Sequence, residues 1–250
     1  MNSPVPKSRL DQLLAARSLA PSRSRARDMI ARKCVRVDGE IVTKAGAMVG
    51  DTSRIDIDDP AQAYVSRAAL KLVTGLDAAG IDVTGKHCID LGASTGGFTQ
   101  VLLQRGAASV LAIDVGHGQL VAEIADDPRV TNMEGVNARD LTKEQLSPAP
   151  ELIVSDLSFI SLTLAAEPAL RLCTGDAQCV LLVKPQFEVG REGIGKGGLV
   201  TDEDLIEHTL ERIRTWFGAL PGWEITHFVA SPIKGGDGNR EYLLCGARYA

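Results

Sequence analysis

Short apolar runs alternate with amphipathic stretches through most of the chain, from about residue 66 onward. Short runs bounded by turn residues are typical of parallel strands buried on both faces, whereas apolar positions three or four apart predict helices. The alternation predicts an α/β fold with a doubly wound, mostly parallel sheet. The predicted strands are 88–91, 110–114, 130–134, 152–156 and 178–184, and the predicted helices begin at 66 and cover 98–105, 162–172 and 202–217.

The last two predicted strands break this parallel pattern. Residues 224–230 and 241–246 are close in sequence, and the segment between them, 234–239, contains three glycines. Parallel strands need a long crossover, whereas a short turn-rich connection joins antiparallel neighbours. We therefore predict an antiparallel pair at this end of the sheet.

The N-terminal part of the chain shows a different pattern, in which two short helices precede a hairpin. Leucines three and four positions apart form the apolar stripe of a first helix that Ser8 can cap, and a second helix follows Pro21. Apolar and polar residues then alternate around the Asp-Gly pair at 38–39. Such a pair is the strongest short-range signal for a tight β-hairpin.

Two more short strands, at 49–51 and 55–57, would complete a small α+β domain. Pro60 discourages helix formation, and the periodic pattern resumes only at Ser66. The predicted domains are therefore 1–59 and 66–250, joined by a linker at 60–65.

Charge separates the two parts of the chain. The formal net charge is −5, yet residues 1–44 carry ten Lys and Arg against four acidic residues, and the remainder carries 17 against 28. A cationic segment on an acidic protein suggests a polyanionic partner, because clustered Lys and Arg release counterions from phosphates. If charge were the only observation, the segment could equally be a solvated charged helix without such a partner.

Composition limits the class of protein. The hydrophobic fraction is 44%, the apolar runs are too short to span a bilayer, and residues 1–20 lack the apolar core of a secretory signal. We therefore expect a cytoplasmic protein without stable membrane association. The five cysteines form no CxxC pair, and no two of the four histidines have metal-ligand helix spacing. We expect reduced cysteines and no compact metal site.

A glycine-rich turn follows the first predicted strand of the sheet. Such a turn between strand and helix lets a ligand approach backbone amides that a Cβ would obstruct, although packing glycines are the alternative. Asp114 ends the next strand 24 positions after Asp90, close to the spacing at which a carboxylate meets a cofactor ribose. The turn at 92–97, GASTGG, lacks the dinucleotide fingerprint GxGxxG. The expected cofactor-binding residues are Asp90, Gly92, Ser94, Thr95, Gly96, Gly97, Phe98, Asp114, Val115 and Asp156.

Four charged residues end predicted strands, at the edge where open α/β sheets bind ligands. They are Asp90, Asp114, Asp156 and Lys184. Any one of them could be a solvated surface charge, but the four together predict a functional site.

An arginine-rich helix followed by a Val-x-Val-Asp-Gly hairpin resembles the RNA-binding domain named after ribosomal small-subunit protein four, over about residues 9–58. One departure is Lys33, which stands where that family usually has a glycine in a left-handed helix end. The resemblance implies RNA contacts by cationic side chains. The expected contacts are Arg9, Arg23, Arg25, Arg27, Arg32, Lys33, Arg36, Lys44 and Arg67.

Five motifs resemble the TlyA family of bacterial rRNA 2'-O-methyltransferases, whose catalytic domain is related to the FtsJ-like enzymes. They are VSRAALKL at 65–72, DLGASTGGFT at 90–99, SDLSFISL at 155–162, VKPQFE at 183–188 and GNREY at 238–242. The resemblance implies a Rossmann-like methyltransferase domain, S-adenosylmethionine as the cofactor, and rRNA or a ribosomal subunit as the partner. It also implies a catalytic set of Lys71, Asp156, Lys184 and Glu241. One departure is the linker, where Gln-Ala-Tyr-Val stands at 62–65 in place of the family's Arg-x-Trp-Val. This departure concerns how the two domains are coupled and does not affect the proposed chemistry.

Methyl transfer to a ribose hydroxyl needs alignment with the sulfonium and loss of a proton, but no metal ion. Lys184 could be the base if its free-amine form is accessible. Burial and a neighbouring Lys71 would favour that form, and Asp156 and Glu241 would then orient the lysines. A protonated Lys184 could instead stabilise a developing alkoxide while the proton leaves to water. The sequence leaves both mechanisms open.

Two other functions compete with this interpretation. A non-catalytic RNA-binding or ribosome-assembly factor could retain the same scaffold and would bind RNA without forming a product. A membrane-active cytolysin is the third hypothesis, because members of the TlyA family have carried a haemolysin label. The sequence shows neither a spanning helix nor a strongly amphipathic basic helix, so this third function is disfavoured.

Overall fold

The computed structural model describes residues 6–249. The chain divides into two compact units between Gln62 and Ala63, and this point lies in the segment predicted as a linker. Each unit packs around hydrophobic clusters of its own.

The first unit is a small α+β domain with short elements. In chain order the elements are β1 (Lys7–Arg9), α1 (Leu10–Ala16), α2 (Arg23–Ala31), β2 (Val35–Val37), β3 (Glu40–Ile41), β4 (Met48–Gly50) and β5 (Ile55–Ile57). The β1 and β4 strands pair antiparallel, and β2 pairs antiparallel with both β3 and β5. Leu10, Leu14 and Ile30 are fully buried and bring the two helices together.

The predicted helices and hairpin of this unit are confirmed, but the predicted cap of α1 is wrong. Asp38 and Gly39 have φ values of 50° and 90°, as a tight hairpin turn requires. Ser8 does not cap the helix, because it lies in β1 and its hydroxyl bonds to Asp51 Oδ1 at 3.0 Å. Lys33 has a φ of 64° and thus takes the left-handed conformation that a glycine would adopt without strain.

The second unit carries the large sheet and its flanking helices. Its elements in chain order are α3 (Ala69–Ala79), β6 (His87–Leu91), α4 (Gly97–Gln104), β7 (Ser109–Asp114), α5 (Ala122–Ala125), β8 (Val130–Glu134), β9 (Leu152–Ser155), α6 (Leu162–Ala165), α7 (Glu167–Leu172), β10 (Gln178–Val183), α8 (Glu203–Gly218), β11 (Trp223–Ala230) and β12 (Tyr242–Arg248). Where one helix was predicted over 162–172, the structure has two. Pro168 falls in the first turn of α7, and a proline inside a continuous helix would clash with the preceding turn.

The sheet confirms the predicted doubly wound topology. The strand order is β11-β12-β10-β9-β6-β7-β8. The strands from β6 to β10 run parallel to their neighbours, whereas β12 is antiparallel to both β10 and β11. The carboxyl ends of the parallel strands therefore meet at one edge of the sheet.

An apolar core lies on each face of this sheet. One cluster includes Leu72 of α3 and Leu102 of α4, and the other includes Leu170 of α7 and Phe217 of α8. Successive strand residues point to opposite faces, so strands between two cores need apolar residues throughout. This packing explains why the sequences of these strands are apolar at successive positions.

Three further findings concern the described part of the chain. No helix within residues 6–249 is long and apolar enough to cross a bilayer. Over the same residues, no three His, Cys, Asp or Glu side chains gather as metal ligands would. The five cysteines are free thiols, and burial raises the pKa of Cys88 to about 12.

Candidate active site

The site forms where the strand connections change direction. From β6 the chain proceeds to β7 and β8 and then returns to β9 on the other side of β6. Ligands of open α/β sheets bind in the crevice at such a switch point, outside the carboxyl ends of the strands. The Asp156 amide donates to Leu91 O at 3.0 Å, which holds the loops after β6 and β9 together at this crevice.

A cavity of about 540 Å³, here called the larger cavity, opens over the carboxyl ends of β6, β7, β8 and β9. Its size lies within the range of roughly 300–1,000 Å³ that is usual for small-molecule sites. Of the predicted cofactor-binding residues, Gly92, Ser94, Asp114, Val115 and Asp156 line it. These five residues lie at or after the carboxyl ends of neighbouring parallel strands and therefore share one cavity surface.

The glycine-rich turn is shaped by positive backbone angles and close packing. Gly92 has a φ of 83°, and a Cβ on it would lie 2.9 Å from the backbone oxygen of Asp156. Ser94 is also left-handed, with a φ of 47°, and its amide donates to Asp114 Oδ2 at 2.8 Å. The Gly116 amide donates to Asp114 Oδ1 at 2.8 Å. Asp114 therefore ties the turn after β6 to the turn after β7, and each of its oxygens keeps a further lone pair for a ligand.

Two predicted cofactor-binding residues, Asp90 and Gly96, line neither the larger cavity nor the smaller one described below. Asp90 is fully buried, and its Oδ2 accepts a hydrogen bond from Thr99 Oγ1 at 2.7 Å. Its Oδ1 has no hydrogen-bond partner among residues 6–249. Burial, with a smaller contribution from the nearby Asp156 carboxylate, raises the pKa of Asp90 to about 7. The sequence predicted that Asp90 contacts the cofactor, whereas the structure buries Asp90 beneath the turn, where it accepts from Thr99.

The raised pKa of Asp90 predicts a pH dependence of stability. The unfolded chain releases this proton near the ordinary value of 3.8, whereas the folded chain retains it up to about 7. Between these values the folded state binds more protons, so the free energy of unfolding falls as the pH rises, by as much as about 4 kcal/mol. The isosteric change Asp90→Asn should remove this loss. About 3 kcal/mol of this loss falls between pH 5 and pH 8, where urea unfolding measures it, and equal pH slopes for the two proteins would contradict the prediction.

A second cavity of about 210 Å³, the smaller cavity, holds the four residues that the resemblance implied as catalytic. Lys71 lies on α3, Asp156 follows β9, Lys184 follows β10, and Glu241 directly precedes β12. Lys71, Lys184 and Glu241 are only 6%, 8% and 4% exposed, so neither lysine is an ordinary solvated side chain. These four residues are called the charge cluster below.

Each lysine of the charge cluster lies within ion-pair distance of a carboxylate. Lys184 Nζ is 2.6 Å from Asp156 Oδ1, and Lys71 Nζ is 2.6 Å from Glu241 Oε2 and 3.7 Å from Asp156 Oδ2. Buried charges are tolerated when they are paired in this way. The carboxylates are thus close enough to balance the lysine charges as well as to orient the side chains, whereas the free-amine mechanism required them to orient the lysines without neutralising them.

The two cavities share part of their lining, namely Gly92, Ser94, Asp156 and Ser158. Of the remaining predicted cofactor-binding residues, Thr95, Gly97 and Phe98 line the smaller cavity only. A ligand in the larger cavity would therefore reach the charge cluster across the shared lining. This arrangement can hold a small molecule beside two ion-paired lysines.

Sequence reasoning missed three polar residues that line the larger cavity: Ser158, Asn137 and Gln119. Asn137 comes shortly after β8, so the strand-end argument used for the other sites could have identified it. Ser158 lies inside a quoted motif and accepts a hydrogen bond from Lys184 Nζ at 2.9 Å. Gln119, whose Oε1 accepts from Ser94 Oγ at 3.2 Å, lies in a loop without any comparable signal.

In the first unit, three of the predicted RNA-binding arginines surround one buried carboxylate. Asp11 is fully buried, and it is contacted by Arg9 Nε at 3.0 Å, Arg27 Nε at 3.0 Å and Arg23 Nη2 at 3.2 Å. These hydrogen bonds, led by that of Arg9, hold the pKa of Asp11 well below its usual range. The arginine side chains are 43%, 56% and 49% exposed, in the same order. They form a half-exposed cationic group with a fixed centre, called the arginine triad below.

The other predicted RNA-binding residues have mixed environments. The structure gives Arg32 a structural role, because its 14% exposed side chain bonds to Asp28 and to both oxygens of Asp59. Arg32 is therefore not proposed as an RNA contact. Arg67 is partly buried and has interactions of its own. The remaining four are Arg25, which donates to Ala61 O, Arg36, which donates to Gly39 O, and the exposed Lys33 and Lys44.

Both units are similar to known protein families. Residues 64–248 match the FtsJ-like methyltransferase family, and residues 8–55 match the S4 domain. A Mycobacterium tuberculosis protein named 16S/23S rRNA (cytidine-2'-O)-methyltransferase TlyA is 45% identical over 239 residues, or 95% of this chain and 89% of that protein. Hemolysin A of Brachyspira hyodysenteriae is 42% identical over 94% of this chain and 98% of its own length. The solved structure of a candidate hemolysin from Streptococcus thermophilus has a TM-score of 0.74 at 37% identity, covering 98% of this chain and 90% of that one.

Proposed function

We propose, on the premise that this chain belongs to the TlyA family of FtsJ-like methyltransferases, that it transfers a methyl group from S-adenosylmethionine to a ribose 2'-hydroxyl of rRNA. The observation that carries the proposal is the shared lining of the two cavities, one large enough for a nucleoside cofactor and the other holding the charge cluster. An rRNA substrate also implies a cytoplasmic site of action. The names of the relatives make cytidine the expected nucleoside.

The residues of the larger cavity fit S-adenosylmethionine. Gly92 leaves the backbone uncovered at the turn, and Asp114 offers carboxylate lone pairs that suit ribose hydroxyls. Asn137 accepts the Arg139 amide through its side-chain oxygen at 3.2 Å, which leaves its amide group free to bind a base. When bound, the cofactor supplies a methyl group on a positively charged sulfur that is a good leaving group.

We propose that Lys184 acts as an ammonium group. Its Nζ lies 2.6 Å from the Asp156 carboxylate and donates to Ser158 Oγ, and an ion pair with a carboxylate requires the protonated amine. It would hold the 2'-oxygen and stabilise the negative charge that develops as the hydroxyl proton leaves to water. S-adenosylmethionine held by the turn at Gly92 and by Asp114 would supply the methyl group that this oxygen takes, with its sulfur leaving as a neutral thioether. Lys71 and Glu241 would fix Asp156, and through it Lys184, from the opposite side.

The arginine triad is the proposed anchor for RNA phosphates. It places three guanidinium groups around one carboxylate, which leaves a net positive charge at fixed positions. Guanidinium groups bind phosphate through planar pairs of donors, and preorganised donors lose less entropy on binding. The triad would thus contribute affinity without sequence information.

Removal of two triad members should weaken RNA binding in a salt-dependent way. For Arg23→Ala/Arg27→Ala we expect an affinity at least about tenfold lower and a log–log salt slope reduced by about 1.5 to 2, because two phosphate contacts are lost. Filter binding to ribosomal RNA at several salt concentrations measures both quantities. Arg105→Ala/Arg129→Ala, which removes two half-exposed arginines of the second unit, is the matched control. An unchanged slope in the triad variant would show that these arginines do not contact phosphates.

The proposed activity is tested with purified protein, methyl-labelled S-adenosylmethionine and ribosomal subunits that lack this modification. We expect label in rRNA, resistant to alkaline cleavage at the modified ribose. Mapping of 2'-O-methylated nucleotides would identify the position and the subunit. Salt-sensitive RNA binding without any transferred label would instead support the non-catalytic assembly factor.

A further inference from the structure

We propose that Ser158 is a positioning residue that directs the Lys184 ammonium toward the ribose oxygen. The inference rests on the proposed function and adds one member to the charge cluster. Lys184 Nζ donates a hydrogen bond to Ser158 Oγ at 2.9 Å and forms an ion pair with Asp156 Oδ1 at 2.6 Å, so the group is held at two points. Its remaining donor capacity is available to an oxygen of the substrate.

Two acceptors are needed because of the nature of the lysine side chain. Its ammonium is a compact charge on a flexible stem, so one ion pair fixes a distance but not a direction. With Asp156 alone, Lys184 could rotate about the axis of that ion pair. The Ser158 hydroxyl supplies the second point of attachment. The ring of Phe187, whose centroid lies 5.7 Å from the Nζ, adds only a weak cation–π contact.

Ser158 is itself held in place by the loop that carries it. The loop begins at Asp156, whose amide is bonded to β6, and Phe159 then takes a left-handed φ of 63°. At the far end of the loop, the buried Glu188 accepts from Ser161 Oγ at 2.8 Å and from the Leu162 amide at 2.7 Å.

Glu188 also connects this loop to Lys184. It lies four residues after Lys184, and its amide bonds to Pro185 O within the turn that begins there. One carboxylate thus joins the loop carrying Ser158 to the loop carrying Lys184. The Ser158 to Lys184 hydrogen bond is therefore formed between two loops whose spacing is set independently of it.

The location of Ser158 gives the hydrogen bond a functional consequence. Ser158 lines both cavities, as do Asp156, Gly92 and Ser94. The 2'-oxygen and the methyl donor must meet at this shared lining if the proposed reaction occurs. Orientation of a reacting group is worth large factors in rate, and small misplacements are correspondingly costly.

The proposal is tested by single-turnover methyl transfer to ribosomal subunits at saturating cofactor, with the dissociation constant of S-adenosylmethionine measured by calorimetry. We expect Ser158→Ala to lower the rate by about tenfold or more, with a cofactor dissociation constant changed by less than about twofold. Ser158→Thr keeps the hydroxyl and should recover most of the rate. A merely structural role would move the rate and the cofactor affinity together and would not distinguish alanine from threonine.

Ser155→Ala is the matched control, because it makes the same chemical change three residues earlier. Ser155 is fully buried, and its Oγ has no hydrogen-bond partner among the described residues, so its removal should leave the rate unchanged. A wild-type rate in Ser158→Ala would overturn the proposal. Equal losses of rate and cofactor affinity would also overturn it, since Ser158 would then act on the cofactor and not on Lys184.

A measurement without substrate separates this inference from the proposed function. The lysine ammonium signals of the free protein are recorded by ¹H–¹⁵N NMR, and the Lys184 signal is identified by its absence in Lys184→Arg. We expect faster hydrogen exchange of this ammonium in Ser158→Ala than in the wild type or in Ser155→Ala. If the wild type transferred no methyl group, the proposed function would fail, while unchanged exchange in Ser158→Ala would separately overturn the role of Ser158.

Discussion

Lys184→Ala is expected to lower the methyl-transfer rate by about a thousandfold while leaving S-adenosylmethionine binding nearly intact. Lys184 lines the smaller cavity and not the larger one, so its loss should spare the cofactor. The variant removes the donor proposed to stabilise the developing alkoxide, and such donors typically contribute factors of about 10² to 10³ or more. It also leaves Asp156 Oδ1 without its closest cation, which adds unfavourable charge where the oxyanion forms.

The measurement is the single-turnover rate together with the cofactor dissociation constant. Lys143→Ala, which removes an exposed lysine from a surface loop, is the control for loss of one positive charge and should behave as the wild type. A Lys184→Ala enzyme with undiminished turnover would refute the assigned chemistry. The pH dependence adds a distinction between the two mechanisms, because a base must lose its proton before it can act, whereas an ammonium donor must retain it.

Features set by local sequence patterns could be predicted well. Strands between two apolar cores must be apolar throughout, and their carboxyl ends must share one edge, so the positions of Asp114, Asp156 and Lys184 followed from the pattern alone. The Asp-Gly hairpin followed from the backbone angles that these two residues tolerate. In both cases the information lies within a few residues of the feature.

Features that depend on a partner distant in sequence could not be predicted in this way. In the sequence, nothing distinguishes Arg32 from its neighbouring arginines. In the structure its guanidinium donates to both carboxylate oxygens of Asp59, which lies 27 residues later in the chain. Asp90 is the penultimate residue of β6, whereas Asp114 ends β7, and Thr99 of the next helix donates to the buried Asp90. The predicted helix cap at Ser8 is wrong for the same reason, because Ser8 lies in β1, which pairs with the distant strand β4.

The charge cluster illustrates why a resemblance adds information that patterns lack. Lys71 and Glu241 are 170 positions apart, and the order of strands alone brings α3 and the start of β12 near the end of β9. Nothing in the periodicity of either segment indicates that their side chains meet at 2.6 Å. The motifs supplied the four residues, and the structure supplied their pairing. That pairing led to the ammonium mechanism over the free-amine one.

Gly92→Ala should abolish cofactor binding at ordinary concentrations, with a loss of affinity of at least about a hundredfold. Two effects combine at this residue. Its φ of 83° strains any residue with a side chain, and the added Cβ would lie 2.9 Å from the backbone oxygen of Asp156. Since a backbone atom cannot move aside as a flexible side chain can, the loops after β6 and β9 must separate. Strain of about 1–3 kcal/mol at each such point corresponds to roughly five- to 150-fold in affinity.

Gly85→Ala separates these two effects. Gly85 also has a positive φ, of 72°, but a Cβ there would meet nothing within 4 Å, and the residue lies before the amino end of β6. We expect this control to lose about 1 kcal/mol of stability and no cofactor affinity. Calorimetry with S-adenosylmethionine, alongside thermal unfolding of both variants, makes the comparison. If Gly92→Ala bound the cofactor as well as Gly85→Ala does, the contact between the turn after β6 and the Asp156 loop would not shape the cofactor site. The larger cavity would then have to hold the cofactor without that constraint.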